Sequence, residues 1–494
     1  MAIKKVCGIE TEYGIIQRPG ESNPISASSV LINSYIAELQ RKVGWDFEDE
    51  SPGRDARGFA AAGSQPPDVE THLVNTVLTN GARYYVDHAH PEISTPECTD
   101  ALEVLRFDRA AEEIVIRSMR AAGAALPPGG EIILYKNNSD GKGNSYGCHE
   151  NYLVDRQVPF SRIVAQITPH FVTRQIFCGA GKVGCELPGI GSSSVPYQIS
   201  QRADFFEEEI GLETTLKRPI VNTRDEPHCD STKYRRLHVI VGDANLAELS
   251  TYLKVGTTAI VLAMIEDDVF PNALTLATPV ASIREVSWDP TLRQTIPLRD
   301  GRRLTAIDIQ WELLEAAQKY ALERGLDCVG ADVGADVLIR WQQVLESLEG
   351  DRVLAARWVD WVAKFRVIDA YRERHDLGWS DAKLRVMDLQ YHDMRPTKSL
   401  FARIETDRLI DDADVVRSIT EPPDTTRAYF RGRCLQKWSD EIVAANWDSL
   451  VFDVGSDPLR RVPMMEPLRG TADLVGRLID ECTTATELLD RLGS

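Results

Sequence analysis

The run RYYVDHAHPE, residues 83–92, places a guanidinium, a phenol and a carboxylate on alternate positions: Arg83, Tyr85 and Asp87. A strand repeats every two residues, so these three share one face. A core strand has no use for such a row, and His88, His90 and Glu92 follow it at once. Near the N-terminus CGIETEYG repeats the device with Glu10 and Glu12. Carboxylates aimed into one space repel unless a cation sits between them, and the usual cation is a divalent metal. The same spacing recurs as His149 and Asn151 in CHENYLV and as Arg236 and His238 in RRLHVIV. A curved sheet gathering these faces would offer carboxylate, phenol and imidazole ligands for Mg2+, and arginines for phosphate oxygens. Oxygen donors dominate and no thiolate belongs to the set, which favours Mg2+ over Zn2+. No GxxxxGK[ST] run occurs, so a P-loop nucleotide site is not expected. One Glu-x-Glu, or one histidine, is more often structural; the joint pattern on otherwise apolar strands carries the reading.

These residues need elements to hold them. Residues 3–15 read as a first strand ending in a turn, and 25–43 as a helix with Leu31, Ile32, Tyr35, Ile36 and Leu39 at helical spacing. From 44 to 68 the pattern dissolves into a long Gly-, Pro- and Asp-rich segment, a length that marks functional or disordered loops. Asp100 and Glu103 form a capping-box-like helix start. ILYKNNSDGKGNSYGCHENYLV reads as two strands around a Gly-rich hairpin, and RRLHVIVGDANLAE as a strand leading into a helix. Residues 250–265 and 305–390 read as mainly helical, with Trp311, Trp341, Trp358 and Trp361 in the core. Glu421-Pro422-Pro423-Asp424 breaks the pattern, so the expected organisation is a large domain over 1–423 and a small C-terminal one over 424–494. In TTRAYFRGR, Arg427 and Arg431 lie four apart and would share a helix face. Trp447 is either core or a platform for a base.

The chain has 494 residues, is 43% hydrophobic and 27% charged, and carries a net charge of −19. That is a soluble globular composition, and the charge argues against a nucleic-acid or membrane-surface binder. Lys217, Arg218, Arg224, Lys233, Arg235 and Arg236 form a local basic cluster suited to an acidic partner. No signal peptide is visible, and the longest apolar run, 259–265, is too short to span a bilayer. Nine cysteines without paired spacing fit reduced thiols, so a cytoplasmic setting is expected.

GIETEYG, NGARYYVDHAHPE, YKNNSDGKGNSYGCHENYL, QRAD, NTRDEPH, YRRLHVIVGDAN and TRAYFRG resemble, in order and nearly end to end, the Pup ligase and depupylase/deamidase family of actinobacteria. The family is similar to glutamine synthetase and the carboxylate–amine ligases. The resemblance implies an α+β fold, a curved antiparallel sheet flanked by helices with a small C-terminal domain. It implies Pup and pupylated proteins as partners and a link to the bacterial proteasome. One branch uses ATP to join Pup to a lysine; the other hydrolyses that isopeptide bond and deamidates the C-terminal Gln of Pup. WDFEDESPGRDARGF, VDHAHPE and EEIGLETTLKR resemble the hydrolytic branch, with ATP, or ADP plus phosphate, and Mg2+ as cofactors. A ligase of the same fold and a non-catalytic Pup-binding adaptor are the alternatives. By motif position, Glu10, Tyr85, Glu92 and His149 would hold Mg2+ and Asp87 would be the catalytic carboxylate. Arg83, Thr95, Trp447 and Arg427 would contact the nucleotide, with Glu12, Arg236 and His238 completing the phosphate shell. Asp87 could attack the carbonyl, act as base for water, or serve a reaction in which phosphate attacks.

Overall fold

The computed structural model describes the chain except residues 20–22, 40–42, 49, 59–72, 191–193 and 494. Residues 59–68 of the expected long loop therefore lie outside the described residues. One ten-stranded sheet organises the rest. In chain order its strands are β1 (Cys7–Glu12), β2 (Gly44–Trp45), β3 (Asn75–Val77), β4 (Arg83–Asp87), β5 (His90–Ser94), β6 (Cys148–Asp155), β7 (Tyr234–Val239), β8 (Ile442–Ala445), β9 (Ser449–Phe452) and β10 (Arg460–Pro463). In space they run β7-β6-β1-β5-β4-β3-β2-β8-β9-β10. Neighbours are antiparallel except β2 and β8, which are parallel.

Alternation decides which way the sheet faces. Ile9, Tyr84, Val86, Ile93, Tyr152, Val154, Leu237 and Val239 occupy one face and are buried. Helices α1 (Pro24–Leu39), α2 (Ala101–Ala125) and α3 (Glu248–Glu266) pack on that side. Asp100 caps α2 by accepting from the Glu103 amide at 2.9 Å, while the Glu103 carboxylate takes the Thr99 amide rather than that of Asp100. The helix stops where Leu126 precedes Pro127, a position that disfavours helical backbone. In α3 every residue from Glu248 to Ile265 is buried, so a helix long and apolar enough to cross a membrane serves here as the core of the fold. Trp341 and Trp361 are fully buried as expected.

One expectation changes. Glu131–Tyr135 does not form a hairpin with β6: it pairs with Gly14–Arg18 in a separate ribbon, while β6 lies between β1 and β7. The Gly-rich segment between them is a crossing, because the apolar alternation of both strands is satisfied in different sheets. The C-terminal residues build a second apolar cluster, with Phe430, Trp438, Ile442, Leu450, Phe452, Ile479 and Leu488, which also takes in Val43, Trp45 and Val77. The main sheet runs through both clusters by way of the β2–β8 pair.

The two regions are pinned by a buried charge cluster. Arg427 caps helix α4 (Ala428–Lys437), and with Arg431 it grips Glu97, Arg427 Nε at 2.7 Å from Oε1. Burial pushes the Glu97 carboxyl up, but the two guanidiniums outweigh it and bring it down to about 2. Glu97→Gln leaves two buried cations short of an anion and should remove about 3–5 kcal/mol of stability, read by urea unfolding. The folded value lies below the ordinary one, so this stabilisation is complete above about pH 4.5 and fades as pH falls toward 2. The Gln variant should lack that part of the acid dependence.

Candidate functional site

The polar residues occupy the sheet face opposite the helices. Strand register puts Glu10 across from His149 on one side and Ser94 on the other, with Arg83 next beyond Ser94. One row along, Glu12 faces Glu92, and Glu92 faces Tyr85. Asp87 pairs with His90 at the end of the β4–β5 hairpin, and His238 pairs with Asn151. The even positions of β1, β5 and β7 and the odd positions of β4 and β6 thus converge, as the period of two requires.

Two ligand groups emerge. Glu10, His149 and His238 bring a donor atom each within 4.8 Å of one another, and so do Glu12, Asp87 and Glu92. The expected single metal shell of Glu10, Tyr85, Glu92 and His149 is therefore divided, because Glu10 and Glu92 sit on different cross-strand rows. Asn151 ties the first group together: its amide donates to Glu10 Oε1 at 2.7 Å, and its oxygen lies 2.8 Å from Arg236 Nη1 and 3.0 Å from His238 Nδ1. With Nδ1 donating there, His238 Nε2 carries a lone pair, buried and with no hydrogen-bond partner. A metal-binding histidine has this arrangement. Burial, helped by the Arg236 charge, keeps His238 well below its ordinary value and so neutral. Burial opposes ionisation of Glu10, but the His149 hydrogen bond and the Arg236 charge hold it well below the usual carboxylate range.

The second group behaves oppositely. Burial, then the charges of Asp87, Glu12 and Glu10, push the Glu92 carboxyl well above its ordinary value, although Tyr85 donates to it. Glu12 escapes: burial raises it, but the His90 hydrogen bond, the His149 and His90 charges and the Gly147 amide bring it down to about 2. Three carboxylates with one forced to keep its proton form an all-oxygen set short of positive charge, which fits Mg2+.

Gly147 has a steric reason to be glycine. A Cβ there would lie 2.1 Å from His149 Nε2. Gly147→Ala must turn the imidazole away from Glu10, and metal affinity should fall about 10- to 100-fold with little loss of fold; titration calorimetry with Mg2+ or Mn2+ reads it.

Two chambers meet over these groups. One, of about 500 Å³, is lined by Glu10, Arg83, Tyr85, Glu92, His149, Arg224, Arg236, His238 and Trp447, with Asp87 at its edge. Arg83 lies between the rings of Trp45 and Tyr85, 3.9 and 4.0 Å from their centroids. A small apolar recess of about 90 Å³ opens beside it between Gly8, Thr95, Leu153, His228 and Trp447. Thr95 Oγ1 accepts from the Ile9 amide, and Arg427 is engaged with Glu97, so both reach this recess as wall. Arg427, expected at the nucleotide, lines this recess while its guanidinium is held in an internal ion pair with Glu97.

The other chamber, of about 790 Å³, is lined by Glu12, Asp87, His90, Tyr146, Arg202, Phe205, Leu216, Arg218 and Arg284. Arg202 is 1% exposed and hydrogen-bonds the Tyr146 carbonyl. Burial, with the neighbouring Arg218 charge, lowers it to about 10. Among the described residues neither Arg202 nor Arg218 is ion-paired. The sequence reading missed Arg202, although QRAD was among the motifs quoted; nothing in its spacing marks it. The basic cluster of 217–236 does not form one groove. Arg218 faces the larger chamber and Arg224 and Arg236 the smaller, while Lys233 pairs with Glu466 and Arg235 lies by Asp225. All nine cysteines are free, and Cys148 lies on the helix side of the sheet.

Comparison with known proteins agrees with this geometry. Residues 5–451 match the family described as Pup-ligase protein. A depupylase of Acidothermus cellulolyticus is 54% identical, covering 99% of each chain, and a Pup deamidase/depupylase of Mycolicibacterium smegmatis is 46% identical over 99% of this chain and all of that one. A Pup–protein ligase of Acidimicrobium ferrooxidans is 38% identical over 96% of this chain and 98% of that one. Among solved structures, the complex of Pup with its ligase PafA superposes with a TM-score of 0.81 at 34% identity, covering 99% of this chain and 94% of that one. PafA in complex with ADP gives 0.74 at 39% identity, over 82% and 89%. With its fold, its converging strand faces and its full-length relatives all in agreement, the chain belongs to the Pup-ligase protein family.

Proposed function

We propose that this chain is a depupylase and Pup deamidase. It hydrolyses the isopeptide bond between the side chain of the C-terminal Glu of Pup and a substrate lysine, and converts a C-terminal Gln of Pup to Glu, with ATP–Mg2+ as cofactor. The observation that carries the reading is Asp87, which lines both chambers at their junction. Full-length similarity is also highest, among the relatives above, to the two hydrolases.

The smaller chamber suits the nucleotide, its base in the recess beside Trp447 and its phosphates toward Arg83, Arg224 and Arg236. Glu10, His149 and His238 would hold one divalent cation and Glu12 and Glu92 another, with the Tyr85 phenol alongside. When bound, Mg2+ would supply the positive charge that lowers the energy of an oxyanion. The larger chamber suits the end of Pup: Arg202 and Arg218 are matched to a carboxylate and to charge developing on the carbonyl oxygen. Asp87 stands between the two as the reacting carboxylate. Residues 424–494 complete the nucleotide side through Trp447, and we place the unit boundary near 424.

A pupylated protein incubated with this chain, ATP and Mg2+ should yield free Pup and unmodified protein on a denaturing gel. Persistence of the conjugate, with new conjugate forming from free Pup, would favour the ligase reading.

A further inference from the structure

We propose that His88 is a positioning residue for the hydrolysis: it fixes the rotamer of Asp87 and is retained in a backbone conformation that favours glycine. The inference rests on the assignment of Asp87 above and extends it to a residue outside the expected site.

β4 and β5 are joined by a two-residue turn, with Asp87 paired to His90. The first turn residue, His88, has φ of +50°. Two-residue hairpins place glycine, asparagine or aspartate in such positions, since a Cβ there meets its own backbone. Histidine tolerates that φ better than most side chains but less well than glycine. Backbone strain of this kind persists where neighbouring structure enforces it, and it concentrates at functional sites. The turn is enforced: Ser28 Oγ on α1 donates to the Ala89 carbonyl at 2.9 Å. The residue in this conformation gains a contact with its neighbour. Its Nδ1 lies 3.0 Å from Asp87 Oδ2.

That contact divides the two oxygens of Asp87. With Oδ2 held by His88, Oδ1 is left for the reaction. Asp87 needs this help because the ionised Glu12 shares its donor group, and a like charge there drives the carboxylate outward. His88 also lines both chambers, with a side chain 55% exposed, so it can hold Asp87 without being sealed into the core. His90, two residues on, faces Glu12 and stacks on Tyr146, which leaves it committed elsewhere.

Glycine separates the two explanations of this residue. If His88 serves only the turn, His88→Gly is the better turn residue and should be at least as stable and as active. If His88 positions Asp87, His88→Gly keeps or raises Tm while kcat for deamidation of Pup ending in Gln falls about 10- to 100-fold with KM unchanged. His88→Asn tolerates the same φ and can present an amide N–H where Nδ1 stands, so it should recover kcat to within about 3-fold of the parent. Unaltered kcat in His88→Gly, or an Asn variant no better than Gly, would overturn the proposal. The parent protein run in parallel tests the underlying assignment: if it releases no deamidated Pup, the activity reading has failed rather than the role of His88.

Discussion

Asp87→Asn abolishes both reactions, lowering kcat by about 10³-fold or more, as expected when an isosteric change removes the reacting carboxylate. The substitution keeps the size of the side chain and its place beside His88, so Pup affinity should stay within about 2-fold of the parent by fluorescence anisotropy. Stability should move the other way. Asp87 is the first of the neighbouring charges that drive the Glu92 carboxyl upward, and its loss relieves that repulsion. The metal-free Asn variant should therefore melt no lower than the parent. A variant that lost activity and unfolded together would place Asp87 in the framework instead of the chemistry.

Removal of the divalent cation should be nearly as severe. Chelation with EDTA is expected to stop turnover, and Mg2+ to restore it. The geometry adds a pH dependence. In the metal-free protein Glu92 is held well above the ordinary carboxylate value by burial and by Asp87, Glu12 and Glu10. Its proton must leave before the all-oxygen group can accept a cation. Mg2+ should therefore bind more tightly as pH rises toward the folded value of Glu92, with proton release measurable by calorimetry in buffers of different ionisation enthalpy. Glu92→Gln should remove both the proton release and most of the affinity. Glu10 gives the contrast: it is held well below the ordinary range without any metal, so this carboxylate should release no proton when a cation binds near neutrality. Affinity that is flat with pH in the parent would contradict the assignment of Glu92.

Much of the site was legible because strands encode a face with a period of two. Arg83, Tyr85 and Asp87, Glu10 and Glu12, and His149 and Asn151 each fell where alternation put them. Which strands lie side by side was not legible. The split of Glu10 and Glu92 into separate ligand groups depends on the β1–β5 register, a long-range property. The same limit produced the false hairpin at 131–155, where two good strand patterns belong to different sheets. Arg202 was invisible for another reason. It follows no strand alternation, sitting just before a short helical turn over Ala203–Phe205, and its role arises from burial beside Arg218 without an ion pair among the described residues. The ion pair of Arg427 was not legible either, because a cationic helix start looks the same in sequence whether or not a glutamate 330 residues away meets it.

The central claim is that this site hydrolyses amides at the C-terminus of Pup. The most direct measurement is mass spectrometry of Pup ending in Gln after incubation with the protein, ATP and Mg2+. The account predicts a gain of about 1 Da, the replacement of an amide NH2 by OH through water attack, and none with Asp87→Asn. An unchanged mass, or a Pup–lysine conjugate formed when Pup ending in Glu and a lysine-bearing protein are supplied instead, would contradict it.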